Sequence, residues 1–164
     1  MATLLDLESS GLLVKLDAGL DPHEQEWRRI SLSPGLREWI ERVLPTLTPL
    51  WESELNPLEQ FDDLSYAFVS GEPLLCLAQF KPLRHVAGGI WELKTPDLRV
   101  FGWFNAKDSF IGVVANQTDA IKKHRLYHGH AGEVAAFRDR LNLDEPKFIS
   151  GEDPYAVVSD FNYP

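Results

Sequence analysis

The chain has 164 residues, 44% of them hydrophobic and 25% charged, a balance that predicts an ordinary globular fold rather than a disordered or fibrous chain. A single cysteine, Cys76, excludes an internal disulfide and any Cys-rich zinc site, and its apolar setting LLCLAQF predicts a buried, inert thiol in a reducing, cytoplasmic compartment. The net charge of −9 argues against a polyanionic partner, and no apolar run approaches the roughly 20 residues of a membrane span.

In chain order, GLLVKL (residues 11–16) is too short for periodicity to choose between strand and helix. Ser33 as N-cap, Pro34 at the first position and Leu36, Trp39, Ile40, Val43 and Leu44 at helical spacing predict a helix up to Pro45. A second helical stretch is expected through TLTPLWESEL to Asn56, and a third from Pro57, with Leu58, Phe61, Leu64 and Phe68 on one face and Gly71 as its stop. Beyond Gly71 the pattern becomes that of strands. LLCLAQF is an apolar run, KPLRHVAGG a loop, and GIWELK, LRVFGWF and SFIGVVANQ are three β-rich runs joined by TPD and NAKD, connections short enough only for antiparallel hairpins. Ala131–Leu143 carries Val134, Phe137 and Leu141 at helical spacing, and residues 144–164 read as an irregular tail. The expectation is one α+β domain over residues 1–164: helices first, a three- or four-stranded antiparallel sheet second, a C-terminal helix third, with the helices on one face of the sheet.

Charge is segregated along the chain. Lys81 to His130 holds eight Lys/Arg against four acids, a net +4, while the rest carries −13. That basic island includes His124–His130, HRLYHGH, directly after Lys122 and Lys123. Three readings stand side by side. His124 and His128 have the i, i+4 spacing of a zinc site, with no third ligand close in sequence. His, Tyr, Lys and Arg together also suit acid/base work on phosphate. The third reading is a solvated loop leading into the last helix. Arg99 shares a strand face with Phe101 and Trp103, either as a phosphate or base-stacking platform or as a cation resting on aromatics at a core edge. Trp91 and Glu92 read as core and cross-strand partners. Gly88-Gly89 precedes no helix, which excludes a Rossmann or P-loop reading, and no serine sits in a nucleophile elbow.

The order KPL (Lys81–Leu83), GGIWELK (Gly88–Lys94), LRVFGWF (Leu98–Phe104), FIGVVA (Phe110–Ala115), IKKHR (Ile121–Arg125) and a final helix resembles the RelE/HigB superfamily of small bacterial toxins and their phage-encoded relatives, over residues 57–143. Residues 1–56 would then be an acidic helical extension. The resemblance implies the toxin of a toxin–antitoxin pair, or a divergent prophage relative, that cleaves mRNA on the ribosome with no metal and no cofactor. It implies a cognate antitoxin, ribosome and mRNA as partners, with a homodimer as a further expectation. By motif match, Lys94 stands at the arginine of E-L-R, Arg99 at the R-V arginine, and Lys122 and Lys123 at the K-K pair. Catalysis is then expected from those four cations on phosphate, with His124, Tyr127 and His128 in proton transfer. The alternative is a non-catalytic protein-interaction module that kept the fold, its acidic N-terminal part suited to a basic partner.

Overall fold

The computed structural model describes residues 1–50, 53–84 and 88–164. Among the described residues, six α-helices and a mostly antiparallel six-stranded sheet make an α+β fold. The sheet is built from β1 (Val14–Lys15), β2 (Arg29–Leu32), β4 (Phe80–Pro82), β5 (Trp91–Lys94), β6 (Leu98–Ala106) and β7 (Ser109–Gln117), in the order β1-β2-β7-β6-β5-β4. The hairpins read from TPD and NAKD are present as β5-β6 and β6-β7, with Lys94 opposite Arg99 and Glu92 opposite Phe101. The sheet is wider than the sequence suggested. β2 adds in parallel to β7, Arg29 opposite Ser109, and β1 pairs antiparallel with β2. Two strands of the central sheet thus come from residues 1–56, which the sequence reading had treated as helical.

Local chemistry explains the helices. Ser33 Oγ accepts from the Leu36 amide at 3.1 Å and donates to the Val113 carbonyl at 2.8 Å, so one hydroxyl both caps α2 (Pro34–Arg42) and ties it to β7. Asn56 and Glu59 form a capping box at the start of α3 (Pro57–Ser70), and Gly71, at φ 84°, ends it in the left-handed conformation. The helix expected through TLTPLWESEL does not form. After a short 3-10 turn, Leu44–Thr46, the described part of that stretch is irregular, because Pro49 supplies no amide and pushes Thr48 away from helical dihedrals. Trp51 and Glu52 lie outside the described residues, as do His85, Val86 and Ala87 of the KPLRHVAGG loop. LLCLAQF is not one strand: Leu74–Leu75 form β3, which pairs in parallel with β8 (Phe161–Asn162) in a separate small sheet, and Phe80 opens β4. That pairing and α6 (Pro154–Val157) give the tail more order than its composition suggested.

The helices do not share one face. Leu36, Phe61, Leu64 and Phe68 of α2 and α3 pack with Trp91, Leu93, Val100 and Phe104, while α1 (Leu4–Ser9), α4 (Thr118–His124) and α5 (Tyr127–Arg140) cover Phe101, Trp103 and Ile111 on the other side. Every residue from Leu98 to Phe104 is buried, the mark of a strand covered on both faces rather than alternating core and solvent. As the alternation of LRVFGWF predicts, Val100 and Phe104 fall on one side and Phe101 and Trp103 on the other.

Candidate functional site

The HRLYHGH segment is a helix-turn-helix, not a loop. Arg125, left-handed at φ 53°, stops α4, and α5 starts at Tyr127, four residues earlier than the Ala131 of the sequence reading. Gly129 and Gly132 lie within α5, and a Cβ at either would meet no neighbouring atom, so packing does not require a glycine at these positions. His124 and His128 therefore sit on two different helices, and their i, i+4 spacing puts them on no common face. Among the described residues no three His, Cys, Asp or Glu side chains come close enough to hold a metal ion.

What the junction does instead is lay α5 against β6 and β7. The Tyr127 ring meets Phe101 edge-on at 5.8 Å and the His130 ring lies 5.4 Å from the same phenyl, while His130 Nδ1 is 3.1 Å from Glu133 Oε1. His130 is thus held by packing and an ion-pair geometry, whereas exposed His128 shares a cavity of about 640 Å³ with Tyr127, Leu77, Lys81, Arg84 and Glu92. Beside it, a second cavity of about 780 Å³ lies between α3 and the β5-β6 turn and is lined by Tyr66, Gln79, Lys94 and Arg99. Leu77 stands between the two: its carbonyl accepts from Lys94 Nζ at 2.8 Å, and its own φ of 70° is a conformation that side-chain-bearing residues rarely adopt.

The sequence-derived site residues separate into two groups. Lys94 and Arg99 are direct cross-strand partners that line one cavity, Tyr127 and His128 line the other, and Lys122, exposed on the last turn of α4, lines neither. Lys123 and His124 are exposed on the last turn of α4 and, among the described residues, line neither cavity. Arg99 is 9% exposed, and one of its terminal nitrogens donates to the Thr95 and Leu98 carbonyls at 2.6 and 2.8 Å. Its Nε has no partner. Burial holds the Lys94 ammonium below its usual range, and the neighbouring charges of Arg99, Lys81 and Lys122 add to that shift against the opposing effect of Glu92.

Glu92 reads from the sequence as a core or cross-strand partner, not as a site residue. It is 2% exposed, opposite Lys81 on β4 and Phe101 on β6, and its Oε2 has no hydrogen-bond partner. Burial pushes its carboxyl above the ordinary carboxylate range, opposed by the charges of Arg99, Lys94 and Lys81. The signal was the strict alternation of W-E-L-K, which sets Glu92 and Lys94 on one face and Trp91 and Leu93 on the other.

No protein-family model, curated protein or solved structure matches the chain. Function therefore rests on the geometry. Three cations and a buried carboxyl, with a phenol and an imidazole at the cavity wall, form a concave anion-receptive face of the kind that marks functional sites. No helix of the described residues is long and apolar enough to cross a membrane.

Proposed function

We propose that this chain is a RelE/HigB-like protein, the toxin of a toxin–antitoxin pair or a divergent prophage relative, and that it cleaves mRNA without a metal. The observation that supports the reading is the cross-strand pairing of Lys94 with Arg99, together with a cavity walled by Lys81, Arg84, Tyr127 and His128. Charge accumulates on the non-bridging oxygens as the 2′-oxygen attacks the adjacent phosphorus, and fixed cations meet that charge with little reorganisation. His128 takes the proton of the 2′-hydroxyl, the P–O5′ bond breaks, and the departing 5′-oxygen takes a proton from Tyr127. The products are a 2′,3′-cyclic phosphate and a 5′-hydroxyl end. Lys123 and His124, farther out on α4, serve contact with the RNA backbone or the ribosome. A cognate antitoxin would then have to cover this face.

The test is induced expression of wild type beside Arg99→Ala/Lys122→Ala, following growth and total mRNA. Because Arg99 also bonds backbone carbonyls, the exposed Lys122→Ala alone is the second variant. Arrest and mRNA loss in wild type, relieved in both variants, is expected; normal growth of all three removes the ribonuclease.

A second reading is a non-catalytic interaction module for a basic protein. It is favoured by the crowding of Glu59, Asp62 and Asp63 on α3, where burial and then the two neighbouring carboxylates push Asp62 above its usual range. Recovery of one stoichiometric partner by pull-down, unaffected by Arg99→Ala/Lys122→Ala, would support this reading over the first.

A further inference from the structure

Glu92 is costly as an ordinary structural residue. A carboxylate with no hydrogen bond to one of its oxygens, shielded from water on a sheet face, destabilises the fold unless something offsets it. The three cations that could neutralise it belong to three different strands: Lys81 of β4 is its direct cross-strand partner, Lys94 of β5 follows two residues on, and Arg99 of β6 lies diagonally across. Each has other engagements or another outlet. Lys94 donates to the Leu77 carbonyl, Arg99 to Thr95 and Leu98, and Lys81 is exposed. From the helical side the facing groups are Tyr127 and His128 of α5, with His130 against Phe101 and Lys122 of α4 acting on Lys94. Arg84 lines the same cavity but pairs with Glu152 at 3.0 Å. The surroundings of Glu92 are thus cationic or neutral, and yet its oxygen is unsatisfied. A neutral carboxylic acid brings no charge into the buried site, and its O–H is satisfied once a ligand places an acceptor there.

We propose that the cavity over Glu92 binds a phosphodiester oxygen through the protonated Glu92 carboxyl as hydrogen-bond donor, with Lys81 at the cavity wall and Lys94 and Arg99, on the neighbouring strand positions, supplying the charge, so that the face takes up a proton when it takes up the anion. The inference rests on the reading above only in taking phosphate as the ligand of this face. The upward shift of Glu92 agrees with it. The sign follows from linkage: when the bound state holds one more proton than the free state, affinity falls as pH rises, by about tenfold per unit once Glu92 is ionised in the free protein.

The probe is a 2′-O-methyl RNA trinucleotide lacking terminal phosphates, which cannot be cleaved through its 2′-oxygen and whose diesters do not titrate between pH 5 and 8. Calorimetry in two buffers of different ionisation enthalpy reads both its affinity and the protons taken up. Wild type is expected to take up close to one proton at the pH where Glu92 is ionised in the free state. Glu92→Gln should bind with no such uptake, be flat in pH, and be tighter than wild type by tenfold or more at the alkaline end. Carbon NMR of the Glu92 carboxyl in wild type, with and without the probe, reads the same protonation without any variant. A flat wild-type profile, a Gln variant weaker at every pH, or uptake that disappears in His128→Gln instead would overturn the proposal. RNA cleavage without proton-linked binding would leave the ribonuclease standing and remove this inference. Proton-linked binding without cleavage would do the reverse.

Discussion

Arg28 is 2% exposed, and its guanidinium gathers backbone carbonyls from two distant parts of the chain. One terminal nitrogen donates to Phe68 at 2.9 Å and Glu72 at 3.0 Å, the other to Asp160 at 3.0 Å, and the group lies 5.5 Å above the Phe68 ring. It therefore satisfies the C-terminal end of α3 and pins the tail that carries β8. In Arg28→Met the aliphatic stem is kept and the donors are lost. The Phe68 bond is fully buried; its carbonyl keeps the Gly71 amide at 3.3 Å, so losing the charged donor costs about 1–2 kcal/mol. The other two are partly buried, so water recovers some of their loss, and each costs about 0.5–1 kcal/mol. Freed Asp108, 3.4 Å from Arg28 Nε, can turn to solvent. The sum is about 3 kcal/mol, which for a domain of this length lowers Tm by roughly 6–12 °C. Calorimetry or urea unfolding measures it, and hydrogen exchange should show the amides of Leu74 and Cys76, which bond to Asp160 and Asn162, losing protection first. A loss below 1 kcal/mol with the tail still protected would refute the argument that Arg28 holds these carbonyls.

Gly102→Ala should prevent folding or cost at least about 3 kcal/mol by urea unfolding, because a Cβ there runs into the Ile111 carbonyl of β7, a backbone atom that cannot step aside. In Glu92→Gln the pH dependence of stability should change. The folded state holds the Glu92 proton more tightly than the unfolded one, so wild-type stability falls as pH rises from about 4.5 through the raised native value, and the variant should gain on wild type above that window and match it below. Equal urea midpoints at pH 4 and pH 8 for the pair would contradict the shift. Cys76, 1% exposed and with its thiol pushed up by burial, should stay unreactive to a thiol reagent in the native protein and react on unfolding; fast native labelling would contradict that burial.

How far the fold could be read from the sequence followed the range of the interactions. α2 and α3 carry their own punctuation, Ser33-Pro34 and Asn56-Pro57 with Glu59 and Gly71, and both lie where the spacing set them. β5 to β7 are joined by turns whose chemistry is local. The strand R-I-S-L has no such marker: four residues long, it is extended because Ser109–Gly112 of β7 is there to receive it, and short α1 likewise depends on packing. Within the site, Lys94 came from the motif resemblance and Arg99 from that and from strand alternation, but the helix break at Arg125, which turns Tyr127 and His128 onto the sheet, is set by a left-handed backbone that an arginine does not announce. Glu92 stayed hidden because a charge within an apolar strand reads as a cross-strand partner until its burial is seen.

The parallel seam between β2 and β7 also bears on how the molecule is made. Arg29 meets Ser109 roughly eighty residues later, while β5, β6 and β7 need only their own turns. During synthesis the apolar sides of α2 and α3 emerge long before the sheet that covers them, and the hairpins assemble from their neighbours as soon as they appear. β2 must then be threaded against β7 at the entropic expense of closing that long loop. The N-terminal third is accordingly the last part of the sheet to be fixed and the part most exposed to association with other nascent chains.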